Sequence, residues 1–392
     1  MQEYHFNNLK EFLTGWQDND KYFEMLKLMS QLSRLFSESE IPYLDYRLAE
    51  NLFCKYFNAL NDTRSCTAYD ARISKVGIGI KTFILSEKNQ SVEKIAEFNK
   101  LKKTLEGLKG IDLARKIGEY RNDRMQFANN TYDVSETTYH IVGRKEGLLK
   151  IFNCPYEEIN VQDIRLIKDD ATSISFDDGQ NEFIFNKSKS VLMKRFIAPS
   201  IGYKDVEVEI LSDPLTLMEE FLMQYNRGVS TSKKRIKGID YVVLPLYSTR
   251  TNNVPEKSGL NQWNAAGRKR DEDEVYISVP IRIHYLYPNF FPKRDTPFVL
   301  YLPNGEEMSA KICQDNGKAL MSNPNKALGE WILRKILKKK PLELVTMDDL
   351  NRYGFDSVCV ENLHSVNKEG LNEYRISFTE FQESFNEFLR DY

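Results

Sequence analysis

Apolar positions along the chain change period several times, and each change predicts an element. Between residues 43 and 60 they recur at helical spacing, which predicts a helix. A polar break at 61–65 separates it from two short strand-like runs, 66–73 and 76–85, the second with Val76, Ile78 and Ile80 in strict alternation. Ser91 is placed to cap a helix over 92–108, and a further helix is expected over 111–127, so residues 1–130 read as mainly helical. From 137 to 210 the pattern turns to β, with TTYHIV, LLKIF, TSISF and EFIF as strands and Asp177-Asp178-Gly179 as a turn. Asp213 opens a short helix to Tyr225. Beyond it come short strands at 241–247, 275–279 and 298–302, an Asn304-Gly305 hairpin turn and a helix at 327–337. The polar, small and basic stretch 226–238, NRGVSTSKKRIKG, reads as a linker. The expected organisation is therefore an α/β domain over 1–225, a linker, and a β domain with a carboxy-terminal extension over 239–392.

Composition supports that division and charge refines it. A chain of 392 residues, 41% hydrophobic and 29% charged, has material for two or three cores. Its net charge of −2 and isoelectric point of about 6.2 argue against a nucleic-acid partner when taken as totals. By segment the picture reverses. Residues 226–340 carry 21 basic and 11 acidic side chains, while 1–225 carry 30 and 35 and 341–392 carry 4 and 11. A basic block between acidic flanks is an electrostatic footprint for polyanions. No window approaches 18 consecutive apolar residues, so no membrane span is expected. The first residues lack the build of a signal peptide, and the five cysteines (Cys54, Cys66, Cys154, Cys313, Cys359) include no Cys-x-x-Cys pair. Both features fit free thiols in a cytoplasmic protein.

Candidate chemistry falls on the two runs at 66–73 and 76–85. Asp70 is expected at the end of the first and Lys81 at the end of the second, eleven residues on. Strand alternation puts Gly77, Gly79 and Lys81 on the face opposite Val76, Ile78 and Ile80. Lys81 would then point over a strip cleared of side chains, where a phosphate or metal could approach the backbone. Glu93 and Glu97, four apart on the expected helix, and Glu50, on the first helix, are the nearby carboxylates. Metal-dependent phosphodiester cleavage needs such parts: carboxylates to hold Mg²⁺, the metal to polarise phosphate and activate water, and a lysine to orient or deprotonate that water. The same residues have plainer readings. Asp70 suits a turn, Lys81 a strand edge, Glu93 and Glu97 a solvated helix face, and Glu50 a pairing with Arg47 or Lys55.

Rival chemistries lack their residues. None of His5, His140, His284 and His364 has Lys two positions on, as a phospholipase-D-type phosphodiesterase requires. A zinc-supported His nuclease lacks its Cys pairs, and neither a G-x-x-x-x-G-K-[ST] loop nor a G-x-S-x-G elbow occurs.

Asp70, the Gly79-Ile80-Lys81 element and the helix–strand–strand–helix order resemble the PD-(D/E)xK nucleases. In these an Asp starts one strand, an x-Lys element follows on its partner, and a Glu often sits on the preceding helix. The second acidic position of the motif falls on Gly79, a departure from the pattern. The resemblance implies that Asp70, the Ile80 carbonyl and a displaced glutamate (Glu97 first, then Glu50 or Glu93) hold Mg²⁺. It also implies that Lys81 positions the attacking water and that cleavage leaves 5′-phosphate and 3′-hydroxyl ends.

Two polar segments interrupt the basic β domain. Residues 247–274, YSTRTNNVPEKSGLNQWNAAGRKRDEDE, carry Arg250, Asn252, Lys257, Asn261, Gln262, Trp263, Asn264, Arg268 and Arg270. Residues 314–326 carry Gln314, Asn316, Lys318, Ser322, Asn323, Asn325 and Lys326. Arg, Asn and Gln read base edges while Lys holds phosphates, so two such arms on one scaffold suit a clamp on a duplex. Either could equally be a solvated loop. SGLNQWNAAGRKRDEDEVYISVPIRIHYLYPNFFP, followed by AKICQDNGKALMSNPNKALGEWILRKIL, resembles the B3-like DNA-binding domain of type II restriction endonucleases and, more distantly, of plant transcription factors. That resemblance covers roughly 238–365 and implies a β pseudobarrel with two major-groove arms. Together the two resemblances imply a Mg²⁺-dependent type II restriction endonuclease acting on double-stranded DNA. A cognate DNA methyltransferase would be its functional counterpart, and a homodimer is left open. A DNA-binding regulator without nuclease activity is the alternative, and a nuclease for RNA or modified DNA a third reading.

Overall fold

The structure, a computed structural model, describes residues 6–61, 68–225, 236–380 and 384–390. These pack as two compact units: 6–61, 68–125 and 134–225 form the first, and 126–133 with the described residues from 236 onward form the second. Most of the expected linker, residues 226–235, lies outside the described residues.

Among the described residues the first unit holds two sheets. One runs in the order β1 (Leu60–Asn61), β2 (Ala71–Ile73), β3 (Val76–Ile84), β5 (Glu136–Lys145), β6 (Leu148–Pro155) and β11 (Tyr203–Glu207). Its central pair, β3 and β5, is parallel, and its other pairs are antiparallel. One face is covered by α1 (Leu9–Gly15), α2 (Asp20–Gln31) and α3 (Tyr46–Phe57). Phe12, Trp16, Tyr22, Leu26, Phe53 and Phe57 pack there on Val76, Ile78, Ile80, Val142 and Ile151. Asp45 caps α3 by accepting from the N–H groups of Arg47 and Leu48, and Asn58 ends it in the left-handed conformation. The second sheet has the order β4 (Gln90–Glu97), β10 (Val191–Ile197), β9 (Glu182–Asn186), β8 (Ser173–Asp177) and β7 (Arg165–Asp169). After the short α4 (Lys102–Leu105), α5 (Gly110–Tyr132) lays Leu113, Ala114 and Ile117 on Ile174, Phe176, Phe185 and Leu192 of that sheet. The unit closes with α6 (Pro214–Tyr225), close to the expected helix.

Two expectations are corrected here. The segment after Ser91 is not a helix over 92–108 but the strand β4, paired antiparallel along its length with β10. Pairing with a strand a hundred residues away decided the matter over local spacing. Residues 1–130 are accordingly a mixture of helix and strand.

Among the described residues the strands of the second unit form one sheet in the order β12 (Tyr241–Pro245), β17 (Phe355–Val366), β18 (Asn372–Glu380), β14 (Pro297–Tyr301), β15 (Glu307–Cys313), β16 (Ala319–Ser322) and β13 (Ile277–Ser278). The edge strands β12 and β13 come side by side, so the sheet is nearly closed into a barrel. Val242, Leu244, Phe298, Leu300, Val358, Val360, Ile376 and Phe378 fill it, with Trp331 and Ile332 of the helical stretch after Lys326. Gly305, in the left-handed region at φ 87°, makes the β14–β15 turn as expected. Strand β13 is only two residues long, shorter than the expected 275–279, and is followed directly by α7 (Ile281–Leu286).

Candidate active site and nucleic-acid interface

In the first unit, local chain geometry gathers three of the candidate residues. Asp70 lies just before β2 rather than at the end of a strand. Its N–H donates to the carbonyl of Ile78 at 3.0 Å, and its Oδ2 accepts from the N–H of Ile80 at 2.7 Å. The carboxylate is thereby fixed against β3 one residue from Lys81. Glu50 projects from α3, buried, with Arg47 Nη1 3.5 Å from its Oε2.

Electrostatics ties the three together. Burial, and next the negative charge of Asp70, push the Glu50 carboxyl up to about 7, while Arg47 and Lys81 pull it back. Burial also raises Asp70, opposed first by Lys81 and then by the Ile80 N–H and Arg47. Two desolvated carboxylates and a lysine thus lie within each other's field. Glu97, the first-ranked glutamate, is elsewhere engaged: on β4 its carboxylate takes the side chains of Lys94 and Asn99. Glu93 accepts from Ser91 Oγ at 2.5 Å. Among the described residues no three His, Cys, Asp or Glu side chains cluster as a metal site, and Glu50 and Asp70 form only a pair.

The expected cleared strip beside Lys81 is filled. A Cβ at Gly77 would come within 2.7 Å of the Tyr69 ring, and one at Gly79 within 2.7 Å of Tyr156 and 2.8 Å of Tyr139. Tyr139 and Tyr156 stack at 3.9 Å, and the buried Arg121 guanidinium lies 4.9 Å from the Tyr156 ring centre. These glycines make room for aromatic rings, not for a phosphate. No sequence signal pointed to Arg121, Tyr139 and Tyr156, which are distant along the chain.

In the second unit both arms are built on the barrel. Three of their residues turn inward. Asn261 is fully buried: its Nδ2 donates to the carbonyls of Pro255 and Val345 at 3.0 and 2.9 Å, and its Oδ1 accepts from the Val345 N–H at 2.9 Å. Ser322, also fully buried, donates to Pro324 O and accepts from the Leu328 N–H. Arg270, mostly covered, donates to the carbonyls of Ala265, Ala266 and Arg268. A side chain spent on the loop's own backbone cannot read a base, so these three shape the arms. Trp263 packs partly against the barrel core, and Asn264 donates to Glu256 O. Arg268 pairs with the buried Glu274 at 2.5 Å and Lys326 with Glu330 at 2.8 Å. Arg250, Lys257, Asn316, Lys318, Asn323 and Asn325 are exposed, and Gln314 is half-buried. Gln314 and Asn316 hold their tip in left-handed conformations, at φ 65° and 59°.

The nearly closed barrel thus carries two polar, basic arms. The family described as the NgoFVII C-terminal B3-like DNA-binding domain matches residues 234–364, a stretch that holds both arms. Residues 234–364 are therefore similar to a B3-like DNA-binding domain of the restriction-enzyme kind, a similarity that supports DNA as a partner. No curated protein matches the chain. No helix among the described residues is long and apolar enough to cross a membrane.

Proposed function

We infer that the protein is a type II restriction endonuclease: the second unit reads a short sequence in double-stranded DNA, and the first hydrolyses phosphodiester bonds. The observation that carries this reading is the family match on 234–364. The first unit supplies a fitting arrangement in Glu50 on α3, Asp70 just before β2 and Lys81 on β3. The arrangement resembles that of the PD-(D/E)xK nucleases, with Glu50 on the preceding helix proposed to stand in for the acidic residue absent at Gly79.

The residues suit Mg²⁺, a hard cation that takes oxygen donors. Glu50 and Asp70 are oxygen donors whose ionisation burial opposes, a penalty that a bound cation would lift. The Ile80 carbonyl is the third candidate ligand, since the N–H and C=O of one extended residue turn to the same side and the Ile80 N–H faces Asp70. When bound, the ion would polarise the phosphate and lower the pKa of a water. Asp70, pinned by the Ile80 N–H, keeps its carboxylate oriented. Lys81 orients the attacking water and offsets developing negative charge. In-line attack would leave 5′-phosphate and 3′-hydroxyl ends.

A regulator that binds DNA without cutting it is the second reading, favoured by glycine at 79. Incubation with plasmid DNA of varied sequence and Mg²⁺, followed by sequencing of the ends, separates the two. Discrete cleavage supports the nuclease; intact plasmid supports the regulator.

A further inference from the structure

The geometry points to α7 as a third DNA-contacting element of the second unit, with Ile281 and Tyr285 packing on a thymine methyl group while Arg282 meets the adjacent phosphate. This rests on the DNA-binding reading of that unit.

Helix α7 is anchored by Ile283, fully buried in the barrel core, and opposite it the helix turns large apolar side chains outward. Ile281 is 70% exposed and Tyr285 84% exposed. Four residues apart, they share a face of the helix, and the exposed Arg282 flanks them. A lone exposed Ile or Tyr is ordinary. What sets this pair apart is its position between the roots of the two arms. On one side a cavity of about 410 Å³ is walled by Thr249, at the start of the first arm, and by Pro280, Ile281, Arg282, Phe385 and Leu389. On the other, His284 Nε2 is 2.8 Å from the carbonyl oxygen of Gly317 in the second arm. The fit is close there, for a Cβ at Gly317 would stand 3.0 Å from that nitrogen. A duplex held by both arms would lie over α7.

Charge selects the partner. Arg282 on the helix is exposed, as are Arg250 and Lys318, the chain neighbours of the Thr249 and Gly317 that meet α7, and this basic setting favours a polyanion. Chemistry selects the group touched. Ile281 has no hydrogen-bonding side chain, and the apolar feature that distinguishes one base pair in the major groove is the thymine C5-methyl.

The test uses the full chain and a duplex enriched by it from a random-sequence pool. Each thymine is replaced in turn by uracil, which removes only the methyl, and Kd is measured for wild type, Tyr285→Ala and Ile281→Ser. The expected result is a uracil position that weakens wild-type binding roughly fourfold, the worth of one buried methyl group, and has no effect on the variants. A wild type indifferent to every uracil, a selected site without thymine, or variants that keep full sensitivity would overturn the role of α7. If wild type enriches no sequence at all, the DNA-binding reading itself fails, and α7 falls with it.

Discussion

Glu50 shows how a fold can shift one carboxylate. Its carboxyl is raised from an ordinary 4.5 to about 7, first by burial and then by Asp70. The folded chain therefore holds this proton more tightly than the unfolded chain. The associated stability is complete below about 4.5 and is lost as pH rises through about 7. In metal-free protein the melting temperature should carry a decline between pH 5 and 8 that Glu50→Gln removes. Calorimetry across that range checks it, and an unchanged slope in the variant would speak against the burial of an ionising Glu50. Asn261 makes the opposite point, since its residue type suggested a base reader and its surroundings show a buried clip on Val345 and Pro255. Asn261→Ala should cost roughly 2–3 kcal/mol in denaturant unfolding by leaving those backbone groups unpaired. A loss of DNA affinity at unchanged stability would contradict that role. Composition can nominate an asparagine, but only packing decides which way it faces.

Elements were legible where their pattern was internally determined. The helix over Glu50, the alternating strand β3, the Asn304-Gly305 hairpin and the basic arms could be seen in the chain because turn chemistry and alternation are local. Strand β4 was not, since its partner β10 lies far along the sequence. That misreading put Glu97 on a helix face, whereas it lies on β4 beside Lys94 and Asn99. Gly77 and Gly79 read from the sequence as a strip cleared of side chains, but the Tyr rings that fill it come from residues 69, 139 and 156, which adjacency along the chain does not reveal. Gly79→Ala should accordingly cost about 1–3 kcal/mol by overpacking against Tyr139 and Tyr156. A neutral effect on unfolding would show that the rings can yield.

On the scale of the whole chain, near neutrality conceals a division. The basic side chains concentrate at 226–340, and the family match at 234–364 falls on nearly the same stretch. Binding to DNA should therefore weaken steeply as salt rises, with a slope reduced by about one for each phosphate-contacting lysine removed, such as Lys257 or Lys318. The acidic first unit is expected to need a divalent cation before it can take in a phosphate. Whether the two units together cut DNA is decided by cleavage of plasmid DNA with Mg²⁺ by wild type and by Lys81→Ala. Discrete fragments from wild type are expected, with a rate lower by about 10²–10⁴-fold in the variant and DNA affinity unchanged. Equal cleavage by both proteins, or none by wild type on DNA of many sequences, would contradict the nuclease function.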